Sequence, residues 1–214
     1  MLARQVANDT LLTYGTLLLQ RRIDAMLPLN AALADYALRL RATEPGAVKS
    51  NTGGWHSDGN IFARDEPLIG QLSQHLQAAI QHISLLARQV APTTKVDFQA
   101  SLYGWVNVNG QGDYNNPHCH PGNTWSGVYY VRTGAEAPNR PMSGRIEFID
   151  PRTRCEVGPN LALGHAGIMR VAPEDGMLLI FPSYLEHYVH PYFGPGERIT
   201  LAFNSLVQTL TPLP

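Results

Sequence analysis

The segment Asn116-Pro117-His118-Cys119-His120-Pro121 follows a Gly/Asn-rich turn and sets two imidazoles two residues apart. In an extended backbone alternate side chains share a face, so His118 and His120 can offer ring nitrogens to one ion. The same alternation turns Cys119 the other way, and a buried, unligated thiol is expected there. Two surface histidines on a strand would look identical, so a metal centre needs a third donor. His187 is the candidate. The apolar run Met177 to Phe181 enters a loop marked by Pro182, and His187 opens the next extended stretch, from which it can return to the first pair. His190 has the opposite strand parity and is expected beside the site or at the surface.

Eleven positions beyond His187 comes Arg198-Ile199-Thr200-Leu201-Ala202-Phe203-Asn204. Alternation sends Ile199, Leu201 and Phe203 to one face and Arg198, Thr200, Ala202 and Asn204 to the other. A guanidinium and a hydroxyl side by side form a socket for a carboxylate, the first binding it bidentately and the second adding a hydrogen bond. An edge-strand arginine in water would show the same pattern.

These groups need a frame. Leu29, Leu33, Tyr36 and Leu40 fall at helical spacing over 29 to 40, with Pro28 at the start. A second helix is expected from Asp65 and Pro67, carrying Leu68, Leu72, Leu76, Ile80, Ile83 and Val90 on one stripe. Between them lies Asn51-Thr52-Gly53-Gly54-Trp55-His56, a glycine-bearing turn whose Trp55 and His56 either close over a substrate or tether the turn. At Lys95 the hydrophobic period changes from about 3.6 to 2. Val96, Phe98, Ala100, Leu102, Val106 and Val108 then face one way, while Tyr103, Trp105 and Asn107 lie among polar residues on the other. Large rings interleaved with amides look like a pocket wall, which makes Tyr103, Trp105 and Asn107 the candidates for substrate contact. Further strand-like runs at 125–131, 145–149, 177–181, 187–190 and 198–207 are separated by turn signals such as Asp175-Gly176 and Gly194-Pro195-Gly196. Helices followed by strands predict an α+β, mainly β chain in which the helices brace one sheet of a β-sandwich or jelly roll.

With 214 residues, 44% of them hydrophobic, one domain spanning 1–214 is expected, with a helical part at about 1–92 and a β core at about 95–207. A net charge of -1 excludes a general attraction for phosphate backbones or anionic membranes. Cys119 and Cys155 make no disulfide framework, and no leader pattern or bilayer-length apolar run is present, so a cytoplasmic protein is expected. His75 and His82 fall on the second helix, and His165 lies in a Gly-rich loop with no evident partner.

The order of His118-x-His120, then Ser126-Gly127-Val128-Tyr129-Tyr130-Val131, Gly144-Arg145-Ile146-Glu147-Phe148-Ile149-Asp150-Pro151-Arg152, Phe181-Pro182-Ser183 with His187, and Arg198-Ile199-Thr200 resembles the 2-oxoglutarate/iron(II) oxygenases over roughly residues 50 to 207. The resemblance implies a double-stranded β-helix of the cupin-like kind. It implies Fe(II) on His118 and His187, and 2-oxoglutarate held through its far carboxylate by Arg198 and Thr200. Tyr130 resembles a tyrosine that often binds the same carboxylate; Tyr129 or Tyr103 could take that part. Dioxygen would be the oxidant and an unidentified small molecule or peptide the substrate.

His120 departs from the pattern, standing where that superfamily usually has a carboxylate. Either it ligates, or Asp113, Glu147 or Glu186 takes the place. Three neutral imidazoles leave the centre one positive charge higher than two imidazoles and a carboxylate, which favours an anionic co-substrate. Two other classes stay open: a cupin-like metal enzyme using the three histidines without 2-oxoglutarate, marked by an Arg198 that does not face the metal, and a non-catalytic binding module. Oligomeric state is not legible.

Overall fold

The computed structural model describes residues 4–7, 10–12, 15–152 and 167–213; Cys155 and His165 lie outside them. Two α-helices are present, α1 (Asn30–Thr43) and α2 (Pro67–Ala87). Pro28 sits inside a 3-10 turn (Asp24–Leu29) that precedes α1. Pro67 occupies the first turn of α2, where its missing N–H costs nothing, and the Glu66 side chain accepts from Leu68 N. The buried stripe of α2 is Ile69, Leu72, Leu76, Ala79, Ile80, Ile83 and Leu85, with Leu68 only partly buried. Val90 falls past the helix end, because the chain leaves the helix after Ala87 and Gln89 turns to φ 57°.

The strands in chain order are β1 (Arg4–Ala7), β2 (Thr10–Leu12), β3 (Leu19–Arg22), β4 (Asn51–Thr52), β5 (Trp55–His56), β6 (Val96–Asn109), β7 (Tyr114–His118), β8 (Trp125–Arg132), β9 (Ile146–Ile149), β10 (Ile168–Val171), β11 (Met177–Pro182), β12 (His187–Val189) and β13 (Arg198–Pro212). β1 and β2 pair only with each other. The others form a major sheet in the order β3-β11-β8-β13-β6-β5 and a minor sheet in the order β10-β9-β12-β7-β4. Every pairing is antiparallel. This is the double-stranded β-helix, mainly β with two helices. The region before Lys95 is not purely helical: β3, β4 and β5 complete the sheet edges. Runs of two to four residues carry too little periodicity to be told from loop. Among the described residues no helix is long and apolar enough to cross a membrane.

The central strands are buried on both faces, which is why they read as continuous apolar runs. Trp125, Tyr129 and Val131 of β8, Leu178 and Ile180 of β11 and Ile199, Leu201 and Phe203 of β13 pack beneath α1 and α2. The alternate residues Val128, Tyr130, Met177, Leu179 and Phe181 meet Ile146, Phe148 and Val171 of the minor sheet between the two sheets. That interior core fills one end of the sandwich and leaves the other open. At Gly127 a Cβ would run into the Phe203 ring and the Leu179 carbonyl, so only glycine lets β8 lie this close. The β6–β13 ladder runs from Arg198↔Asn109 to Pro212↔Val96. The exposed edge of β6 is laced by a loop: Asn60 accepts from Gly104 N and donates to Leu102 O, and Ser57 Oγ accepts from Val106 N.

Candidate metal and carboxylate site

β7 and β12 pair with His118 directly opposite His187, so strand register, rather than loop placement, brings these two imidazoles together. Their ring centroids are 4.4 Å apart. β7 ends at His118, and His120 follows in the turn, anchored by its backbone N–H to the Ser183 carbonyl at 2.8 Å. Its ring lies 4.9 Å from that of His118 and 5.2 Å from that of His187. The three potential ligand atoms fall within 4.8 Å of one another, a spacing that a single ion could draw in to bonding distance. Two rings are oriented by backbone carbonyls: Nδ1 of His118 donates to Asn116 O at 2.6 Å and Nδ1 of His187 to Leu185 O at 3.0 Å. Each leaves Nε2 for an ion, the usual outer partner of a ligating imidazole.

Burial holds all three rings neutral. It pushes His187 down to about 3 and His120 to about 4, the neighbouring His118 adding to both, and it lowers His118 as well. Neutral imidazoles are the ligating form. The stability of the metal-free protein should therefore fall with acid. Unfolded imidazoles take up protons near pH 6.5, whereas the folded ones resist until about 4 and about 3, so below 6.5 the unfolded state binds the extra protons. Thermal unfolding of chelator-treated protein should show the midpoint dropping between pH 6.5 and 4; a flat profile would contradict the burial of these rings.

None of the three alternative acids joins the cluster. Asp113 accepts from Gly110 N at 2.7 Å, Glu147 is taken by Arg170 and His190, and Glu186 is exposed. His190 thus lies away from the ion site, with Nε2 3.0 Å from Glu147. Cys119 is exposed rather than buried. Alternation fixed the side of the chain on which it lies, but nothing packs over that side once β7 has ended.

The histidines line one end of a pocket between the two sheets, enclosing about 490 Å³ of space that is partly open to solvent. Arg198, Thr200 and Tyr130 line the same pocket from the major sheet. Arg198 pairs across from Asn109, and Thr200 lies directly opposite Tyr130. The Arg198 guanidinium is fully buried over the Tyr130 ring, 5.3 Å from its centroid, and burial lowers its basicity. Among the described residues its Nε has no hydrogen-bond partner, the Tyr130 hydroxyl has only the guanidinium itself beside it, and no Asp or Glu lines the pocket. A buried cation without an anion is costly, and this donor set fits a carboxylate entering from solution. Gly144, at φ 65°, covers the Arg198 stem; a Cβ there would come to 3.2 Å from Cδ.

Trp105 and Asn107 also line the pocket, and the Asn107 Oδ1 is unpaired. Tyr103 does not: it stands one step further out, half exposed, with its ring 6.3 Å from that of Trp105. Tyr129 packs on the helix side, its hydroxyl on Asn30 Oδ1, away from the pocket. Trp55 is a tether, donating to Glu44 O, whereas His56 stacks on Trp105 at 5.4 Å. Sequence reasoning missed Ser50 and Asn115, both of which line the pocket. Ser50 is 68 residues from the histidine it touches, in a loop with no local signal.

Residues 103–204 match a family model described as "Putative 2OG-Fe(II) oxygenase". Solved structures share the fold at low identity. A Pseudomonas putida prolyl-4-hydroxylase is 16% identical, with a TM-score of 0.58 over 92% of this chain and 93% of the other. HygX from Streptomyces hygroscopicus, solved with nickel, 2-oxoglutarate and hygromycin B, is 14% identical, with a TM-score of 0.59 over 94% and 86%. A Trichoplax adhaerens prolyl hydroxylase bound to a hypoxia inducible factor peptide is 14% identical, with a TM-score of 0.58 over 91% and 84%. No curated protein sequence matches the chain.

Proposed function

We propose that the protein, whose residues 103–204 match the 2OG-Fe(II) oxygenase family model, is an Fe(II)- and 2-oxoglutarate-dependent oxygenase with its ion on His118, His120 and His187 and its co-substrate on Arg198, Thr200 and Tyr130. The observation that carries this reading is the presence, in one pocket, of an all-imidazole donor set and a buried guanidinium with no anionic partner among the described residues. When bound, iron(II) would supply the activation of dioxygen coupled to decarboxylation of 2-oxoglutarate to succinate and carbon dioxide. The chain's own contribution is binding and exclusion. Neutral rings hold the ion without protonation competing at pH 7. Arg198 and the Tyr130 hydroxyl take the far carboxylate, and the absence of a carboxylate ligand favours a doubly charged co-substrate. Val128, Ile146, Phe181 and Val189 form an apolar wall that limits water.

Trp105 and Asn107 are the substrate-facing residues in this reading, with Tyr103 as an outer step. The structural relatives include proteins solved with a peptide and with an aminoglycoside, and either a peptide or a small molecule suits a pocket open at one end. A reducing, cytoplasmic setting is part of the same reading, supported by the free, exposed Cys119. The cupin-like alternative called for an Arg198 facing away from the metal, and Arg198 lines the histidine pocket.

Protein reconstituted with Fe(II) should convert 2-oxoglutarate to succinate in air, and a yield no higher than that of His187→Ala would overturn the assignment. Tyr130→Phe offers a finer check. It removes a hydroxyl whose one neighbour of hydrogen-bonding type among the described residues is the Arg198 guanidinium. Affinity for 2-oxoglutarate should fall by about two- to tenfold, the loss of one hydrogen bond, while the ligand-free unfolding temperature holds or rises. Calorimetry beside thermal melting reads both; a large loss of stability would mean that the hydroxyl serves the fold instead.

A further inference from the structure

Ser50 lies in the loop ahead of β4 and lines the pocket beside His118. The 2.6 Å contact between His118 Nδ1 and the Asn116 carbonyl requires a hydrogen on Nδ1, because a carbonyl only accepts. A neutral ring then carries a bare lone pair on Nε2. Ser50 Oγ stands 3.3 Å from that Nε2, so in this pair the hydroxyl must be the donor. Asn115 Nδ2 donates in turn to Ser50 Oγ at 3.3 Å, giving a directed chain from amide to hydroxyl to imidazole. Ser50 is itself pinned, its carbonyl accepting from the Asn116 backbone N–H at 2.9 Å and from the Asn116 side chain at 3.1 Å.

The lone pair covered by Ser50 is the one an ion on His118 would need, since Nδ1 is committed to a carbonyl. The other two rings differ. His187 has only its Nδ1 engaged, and the His120 ring has no hydrogen-bond partner among the described residues.

We propose that Ser50 competes with an ion for the Nε2 lone pair of His118, so that loading requires the hydroxyl to turn away. This rests on the reading of His118 as a metal ligand. A hydroxyl that merely supported the fold would leave metal affinity unchanged or lower it when removed; a competitor gives the opposite sign.

The test is Co(II) titration of chelator-treated protein by calorimetry, with histidine 15N resonances recorded in the metal-free state. Ser50→Ala should bind Co(II) about two- to tenfold more tightly, the effect of removing one competing hydrogen bond. Ser50→Thr, which keeps the donor, should stay near wild type. In metal-free wild type the His118 Nε2 signal should be that of a hydrogen-bonded lone pair, and in Ser50→Ala it should move toward a free one while His187 stays put. The wild-type spectrum alone tests the donor if the alanine variant fails to fold. Unchanged or weaker Co(II) binding in Ser50→Ala, or a free Nε2 in wild type, overturns the proposal and leaves the metal assignment standing. Absence of Co(II) binding by wild type overturns both.

Discussion

Arg198→Met should keep the metal and lose 2-oxoglutarate by at least about thirtyfold. The guanidinium is buried against Tyr130, and among the described residues its Nε is unpaired and no acid lines the pocket. Its charge is therefore uncompensated until a carboxylate arrives. Removing one partner of a buried, hydrogen-bonded charge pair costs about 2 to 5 kcal/mol, which converts to roughly thirtyfold to several thousandfold in affinity. Methionine keeps much of the stem volume beneath Gly144, so the pocket wall should persist. The metal-free variant should be no less stable than wild type, because a desolvated cation has been removed. Thr200→Val should do less, since it deletes one neutral donor. Anaerobic calorimetry with Fe(II) compares the three proteins. Equal affinity in wild type and Arg198→Met would return the cupin-like alternative, in which the ion acts without 2-oxoglutarate.

His187→Ala should reduce Fe(II) affinity by more than about a hundredfold, since partners of ligating histidines alone are worth ten- to a hundredfold. His187 is the most buried of the three rings and sits opposite His118 in the ladder. Its loss leaves two imidazoles, one of them on a turn. His120→Ala should be comparable, because among the described residues no Asp or Glu stands close enough to replace it. His120→Asp should bind again, since a carboxylate is a competent donor at the same place. His190→Ala is the control: its ring is engaged by Glu147 and should leave metal binding unchanged. Metal content after dialysis against limiting Fe(II) distinguishes these variants. Strong binding by His120→Ala would mean that a group outside the three-histidine cluster completes the site.

The parts of this site that were legible in the sequence were those governed by strand alternation. Arg198 and Thr200 lie on one strand, so parity alone puts them on one face; His118 and His120 are close in sequence and meet although β7 ends at His118, the turn carrying His120 back to the same side. His187 was legible only through the shape of its surroundings, an apolar strand, a proline and a return. What parity cannot supply is depth. Tyr103, Trp105 and Asn107 share a face, yet only the last two reach the pocket, because the strand runs outward from the site. Cys119 fails for the same reason, its side being right and its burial wrong. The short strands β4 and β5 and the contribution of Ser50 come from contacts across about 50 to 70 residues, which no local pattern encodes.

The two halves of the pocket belong to different sheets: the histidines are carried on and just beyond β7 and β12 of the minor sheet, and the carboxylate socket on β13 and β8 of the major one. The two sets face each other across a pocket that is walled by Val128, Ile146, Phe181 and Val189 of the interior core and is partly open to solvent, a gap between the sheets. A diacid gripped at both ends would span that gap as a brace, and so act as a replaceable piece of core. Mass action then stabilises the closed sandwich whenever both ion and diacid are abundant. If the proposed sites hold, the protein would be stiffest when charged for reaction and loosest once a product has left, which would tie the opening of its frame to its own chemical cycle.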